Sequence, residues 1–349
     1  MNQRSNAGKI AVTIVADVLV FAILILTFAW FHHAKPGKYN NTVALPTPPA
    51  NIVLTPAPTP EPTSTSSQAP YETIAAGETQ TPEPKPAKVG LLGDKYADKF
   101  TDGEIIKDEN SYRSENVCIE LTSHSEMKNG YLVAYYVAQI YIQDINSFRC
   151  VNAESDNNRE RLESMAERVG AIFASSGDYW MIKKKGLVIR NGELYRDKLN
   201  DEQDVCVLYR DGSIGTYYAG NVDLESIYAN YPLHAWSFGP ILLEDGLPRT
   251  EGFNCNDYVA DRHPRCALGY YEPGHYCLVV VDGRTTNYSY GMTMTELSEL
   301  MYNLGCTNAY NLDGGMTAMM WYDGSLYSKP CEGGRANTDC FYIVEPDAK

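Results

Sequence analysis

Apolar residues are spread unevenly along the chain, in three regimes. Positions 10–31, "IAVTIVADVLVFAILILTFAWF", form 22 consecutive positions with one charge, Asp17. As a helix this run would span about 33 Å, enough for a hydrocarbon core of about 30 Å. It predicts an uncleaved membrane anchor, because "TFAWFHHAK" offers no A-x-A-like cleavage site. Arg4 and Lys9 before the run against Lys35 and Lys38 after it lean slightly toward a cytoplasmic N-terminus. From Pro36 to Pro86 the hydrophobic pattern vanishes, and this stretch carries twelve of the nineteen prolines among Thr, Ser, Ala and Glu. Such a segment has no core to build and reads as an extended spacer. The expected organisation is a tail over 1–9, an anchor over 10–31, a linker over 32–88 and one folded domain over 89–349, held outside the cell membrane as a single-pass protein.

Within the domain, strand-like flanks surround Asn191-Gly192, Asp211-Gly212, Asp245-Gly246 and Asp323-Gly324, predicting four hairpins whose acids serve as turn formers. Leu162, Met165, Ala166 and Val169 recur at helical spacing, and a strand over 171–175 then runs into Ser176-Gly177-Asp178. The apolar run from Cys277 to Val281 ends on Asp282-Gly283-Arg284. A helix follows, signalled by the capping box Thr293-x-x-Glu296, by Leu297, Leu300, Met301 and Leu304 on one face, and by the stop at Gly305. The strand "NAYNL" comes next and delivers Asp313-Gly314-Gly315. Strand, helix and strand read as a βαβ-like unit with two neighbouring parallel strands, so Asp282 and Asp313 are expected to open onto one crevice at the strands' C-terminal ends. The expected fold class is α+β, a mixed sheet with several hairpins.

Charge and cysteine usage narrow the functions. Residues 100–349 hold 21 Lys+Arg against 37 Asp+Glu, which argues against nucleic acid as a partner. Nine cysteines show no C-x-x-C pair and no Cys/His metal spacing, so no zinc site is expected. Outside the cell some would pair, with Cys255–Cys266 and Cys331–Cys340 as the local candidates.

The motifs "YYVAQIYI" (135–142), "GDYW" (177–180), "GLVIRNGELYRD" (186–197), "SFGPILLEDG" (237–246), "HPRCALG" (263–269), "VVVDGR" (279–284), "GMTMTELSELMYNLGCTNAYNLDGG" (291–315) and "GGR" (333–335) occur in order. Together they resemble the phosphodiester glycosidases related to the lysosomal "uncovering enzyme", over about residues 100–345. The resemblance implies hydrolysis of the bond between an α-linked sugar and a phosphodiester in a cell-surface glycan or exopolysaccharide. It implies Asp282 and Asp313 as the catalytic pair, since glycosidic cleavage commonly uses two carboxylates. It gives substrate-binding roles to Ser176, Gly177, Asp178, Asn311, Gly314, Gly315 and Thr317, and to Arg265, Arg284 and Arg335, whose cations suit phosphate oxygens. His263 reads as a structural hydrogen-bonder.

The chain also departs from the family pattern, at Ser176, Gln139, Met316 with Ala318, and Ala336. If Ser176 stands where an Asn would reach the substrate, Ser176→Asn, alone or with Met316→Gly, is expected to raise turnover. The rival function is a degenerate, non-catalytic glycan-binding member on a proline-rich stalk. A metal-dependent phosphodiesterase would need a denser His/Asp cluster than the domain's four histidines provide. No cofactor is called for, and a divalent cation stays an open alternative.

Overall fold

The computed structural model describes residues 42–47, 90–155, 157–244 and 246–346. The predicted anchor and nearly all of the spacer lie outside them. Among the described residues no helix is long and apolar enough to cross a membrane. The longer elements are β1 (Val117–Lys128), β2 (Tyr131–Ile142), β3 (Phe148–Asn152), α1 (Leu162–Arg168), β4 (Phe173–Ser176), β5 (Gly186–Arg190), β6 (Glu193–Lys198), β7 (Val205–Tyr209), β8 (Ile214–Tyr217), β9 (Pro232–Trp236), β10 (Arg265–Glu272), β11 (His275–Val281), α2 (Met294–Asn303), β12 (Asn308–Leu312), β13 (Met320–Tyr322) and β14 (Asp339–Ile343).

Three sheets enclose a common core. The largest runs β12–β10–β11–β2–β1 and continues into two short edge strands; a second runs β13–β4–β14–β3; the third runs β6–β5–β9–β7–β8. Tyr136, Ile140 and Leu278 of the first sheet, Phe148, Phe173 and Phe341 of the second, and Leu208 and Trp236 of the third meet in one buried cluster. Each such side chain removed from water contributes about 1.5–3 kcal/mol, so the cluster joins the sheets into one domain.

The strands flanking each of the four predicted turns pair antiparallel. Asn191 and Gly192 take φ of 52° and 79°, and Asp323 and Gly324 take 41° and 93°, the positive pair that a tight two-residue turn requires. Helix α2 forms with both halves of its capping box, and Gly305 stops it at φ 86°. Its Leu297, Leu300 and Met301 cover the outer face of the large sheet, over Val279, Val281 and Ala309. At Gly269 the packing leaves no room for a side chain: a Cβ there would sit 2.6 Å from Cys277 Sγ, Cys306 Sγ and Met301 Cε.

The mixed sheet and the neighbouring parallel strands do not appear. Every ladder among the described strands is antiparallel, and β10 lies between β11 and β12, antiparallel to each. The two flanking strands do run parallel to one another, so their C-terminal ends share an edge. The start of β10, Arg265, stands at that same edge between them. Continuous apolar runs mark strands covered on both faces, which is the rule for parallel sheets. Here the shared core on one face and α2 on the other bury an antiparallel sheet equally well, and all of β11 is buried.

All nine cysteines are free. Neither candidate pair is joined; the close pair is Cys277 and Cys306, with sulfurs 3.5 Å apart.

Candidate active site

The crevice at this sheet edge, about 280 Å³, is lined by Arg265, Arg284, Asn311, Asp313, Gly314, Gly315, Met316 and Arg335, with His263 and Tyr258 at its side. Strand alternation explains who is present. Cys266, Val280 and Leu312 face the shared core. Arg265, Asn311 and Asp313, each one position away, face the other side, where the crevice lies.

Asp313 is held by its backbone N–H donating to the Gly177 carbonyl (3.0 Å) and by Thr317 Oγ1 at 2.7 Å from Oδ2. Thr317 also reaches the Gly314 carbonyl at 2.6 Å, so its single proton faces two acceptors. Burial pushes the Asp313 carboxyl up to about 6; the Thr317 bond and the charges of Arg335 and Lys183 pull against this, while Asp178 adds to it. The following glycines are required by space and backbone. A Cβ on Gly314 would meet the Pro264 carbonyl oxygen at 2.6 Å, and Gly315, at φ 63°, donates its N–H to that same oxygen at 2.9 Å.

The arginines have unusual company. Arg265 is 4% exposed, and its partners are the carbonyls of Met292 (Nε, 2.9 Å) and Asp261. Burial, with the nearby charges of Arg284 and Arg262, lowers its guanidinium to about 10. Arg284 holds a left-handed φ of 57° and donates to His263 Nδ1 at 3.2 Å. His263 Nε2 lies 2.7 Å from the Tyr258 carbonyl and can only donate to it, so the ring is the neutral Nε2–H tautomer; burial and the two arginines lower its pKa. Among the described residues no carboxylate lies within ion-pair distance of Arg265, Arg284 or Arg335. Asn311 donates its amide to the Gly239 carbonyl at 2.7 Å, and its buried Oδ1 has no partner.

Asp282 is not brought into this crevice. It sits on the face of Val280, opposite Asp313, where its Oδ2 accepts from Tyr288 Oη (2.7 Å) and from the Lys329 N–H (3.0 Å), and Tyr288 meets Tyr136 at 2.8 Å. Its carboxyl is raised by burial, and its Oδ1 is unpartnered. The proposed pair is therefore split by strand alternation. Asp282 ties down the loops that precede and follow the crevice, those carrying Arg284 and Arg335.

Ser176 is also turned away. It is fully buried, donates to the Thr317 carbonyl, and accepts from the Met319 N–H (3.2 Å) and Asn337 Nδ2 (3.0 Å). A longer side chain has no crevice to reach into, so the expected benefit of Ser176→Asn is withdrawn. Gly177 is a packing requirement, since a Cβ would lie 2.4 Å from Asp339 Oδ1. Asp178 belongs to a buried ion triad: Arg190 Nη2 lies 2.7 Å from Asp178 Oδ1 and 2.9 Å from Asp339 Oδ2, and Asp178 Oδ2 accepts from the Ser237 N–H at 3.0 Å. Burial raises Asp339 against the pull of Arg190. Gln139 bonds Tyr271 and His275, among side chains that do not line the crevice.

Arg190, Asp339 and Lys183 escaped the sequence reading. Arg190 carried a signal, as a lone cation inside the apolar strand "GLVIR"; Lys183, within three consecutive lysines, carried none.

The antiparallel domain thus sets one strand-end carboxylate, two sterically required glycines and three arginines at a single sheet edge. A sequence model of the phosphodiester glycosidase family matches residues 168–344, and the chain belongs to that family. It is 31% identical over 196 residues to the SPbeta prophage-derived uncharacterized protein YomE of Bacillus subtilis (strain 168), covering 54% of this chain and 30% of that protein's length. It also resembles the catalytic domain of zebrafish N-acetylglucosamine-1-phosphodiester α-N-acetylglucosaminidase, described as auto-inhibited by its pro-peptide, with a TM-score of 0.54 at 21% identity over 70% of this chain and 88% of that one. A hypothetical protein from Synechocystis gives a TM-score of 0.52 at 12% identity, covering 66% and 62%. At these identities the two structures show the fold.

Proposed function

We propose that the domain hydrolyses α-linked sugar-1-phosphodiester bonds in cell-surface glycans or exopolysaccharide, outside the cell and tethered through residues 10–31. The observation that carries this reading is the set of three arginines without carboxylate partners around Asp313. Arg265 is buried whereas Arg284 and Arg335 are exposed; the buried cation without a counter-ion costs free energy, and a bound phosphodiester would supply the missing charge and meet the two accessible cations.

The chemistry follows from the leaving group. Water attacks the anomeric carbon, the bond from that carbon to the phosphate oxygen breaks, and the electron pair leaves with the phosphate as a monoester. Its oxygens are matched by Arg265, Arg284 and Arg335, so little proton donation is needed. Asp313 takes the proton of the attacking water, a role that needs its ionised form, and the Asn311 carbonyl oxygen accepts from a sugar hydroxyl. A non-catalytic glycan binder is the second reading, favoured by Asp313 being the single carboxylate among the described residues that line the crevice and by Met316 on its wall.

Turnover of an aryl-phosphodiester-linked α-sugar in H₂¹⁸O tests the first reading. The label is expected in the free sugar, with aryl phosphate unlabelled and the rate unchanged by chelator. Label in the phosphate would mean attack at phosphorus and sink the glycosidase mechanism. Binding without turnover would select the second reading.

A further inference from the structure

Beside the crevice lies a larger cavity, about 740 Å³, which no step of the proposed reaction uses. The two share Val259, and they meet again where Asn311 of the crevice bonds the carbonyl of Gly239, which lines the larger space. Ligand cavities commonly run about 300–1,000 Å³, so the crevice is small for a whole phosphodiester substrate and the neighbouring cavity is not.

Its chemistry is also specific. The Lys183 ammonium stands 4.3 Å from the centre of the Phe238 ring, partly buried, and among the described residues no carboxylate lies within ion-pair distance of it. Its backbone is held in place, because the Lys183 and Trp180 carbonyls both accept from Arg196, and Trp180 is buried. A partly buried ammonium positioned over an aromatic face is a site prepared for an anion next to an apolar sugar face. Asp201 and Glu202, exposed on the cavity wall, offer acceptors for sugar hydroxyls, and Lys184 and Lys185 on the same wall offset their charge.

We propose that this cavity is a second subsite, which receives the adjoining sugar and its phosphate in a chain of phosphodiester-linked sugars, with Lys183 as the phosphate's cation. The proposal rests on the reading of the crevice as the cleavage site and makes the preferred substrate a polymer.

The test compares a monomeric aryl α-sugar phosphodiester with a dimer carrying a second internal phosphodiester, using the wild-type chain and Lys183→Met. A positioned charge-assisted contact corresponds to about tenfold or more, so kcat/KM for the dimer is expected to exceed that for the monomer by that factor in wild type. In Lys183→Met the ratio is expected to fall near one. The ratio cancels any effect of Lys183 on Asp313, which acts on both substrates alike. A wild-type ratio near one, with the monomer turned over, overturns the subsite and leaves the glycosidase reading standing. If neither compound turns over, calorimetry decides. Tighter dimer binding that weakens in Lys183→Met keeps the subsite while the hydrolase reading falls, and equal or absent binding removes the subsite too.

Discussion

Arg190 and Arg265 are both buried arginines of one domain, 1% and 4% exposed, yet their surroundings differ in kind. Arg190 is clasped by Asp178 and Asp339 and spends a further N–H on the Ile189 carbonyl at 3.0 Å. Arg265 has carbonyl partners only, with further cations at Arg284 and Arg335 along the same crevice. Paired charges of the first type hold three sheet segments in register and have nothing left for a ligand. The unpaired, buried charge of Arg265 is a standing cost in the free protein, which a phosphate bound as proposed would relieve. Burial and residue type alone do not tell the two arginines apart; the presence or absence of a counter-charge does.

The largest expected effect tests the crevice at its carboxylate. Asp313→Asn keeps the shape and removes the base, and turnover is expected to drop by about 10²- to 10⁴-fold. The fold should tolerate this, since burial raises the native carboxyl to about 6 from an ordinary 3.8. Native Asp313 binds a proton that the unfolded chain has released between those values, so stability falls as pH rises through about 4 to 6 and stays lower above. Asp313→Asn should therefore melt no lower than wild type at pH 7, with a shallower loss across that window. A strongly lowered melting temperature would class Asp313 with the structural triad.

Breaking the triad should do the reverse. Arg190→Met leaves two buried carboxylates without their cation, and removing one partner of a buried pair typically costs about 3–5 kcal/mol. Urea unfolding is expected to show that loss, with activity failing only as the protein unfolds. Arg265→Met is the sharpest contrast. It removes a buried charge that lacks a counter-ion, so the urea midpoint should hold or rise, while kcat/KM falls by about 10²- to 10³-fold. Equal destabilisation by the two arginine variants would erase the distinction.

Two smaller effects follow. Because the proposed role of Asp313 needs its ionised form, kcat/KM should rise with pH and level off above about 6, losing about tenfold per unit below it; a profile flat from pH 4 to 8 would remove Asp313 from the base role. Ser176→Asn should not raise turnover, and overpacking its closed hydrogen-bonded site is expected to cost about 1–3 kcal/mol. Faster turnover in that variant would mean that Ser176 reaches the crevice after all.

Local signals were read directly from the chain. The Asn191-Gly192 and Asp323-Gly324 turns, the Thr293/Glu296 capping box and the Gly305 stop depend on neighbours a few residues away, so the sequence alone determined them. Arg265, Arg284, Arg335, Asn311, Asp313 and the double glycine were found by motif, and the fold gathers all of them at one edge. Whether two strands are adjacent or separated by a third depends on residues far apart, and the insertion of β10 between β11 and β12 left no local mark. The apolar run of β11 declared burial on both faces without saying what covered them. Asp282 and Asp313 look equivalent in sequence, each ending a strand before a glycine. Only the tertiary structure decided between them, because their strands end out of phase on opposite faces of one sheet. It likewise decided which arginines found carboxylates, since each partner of Arg190 arrives from a different strand end.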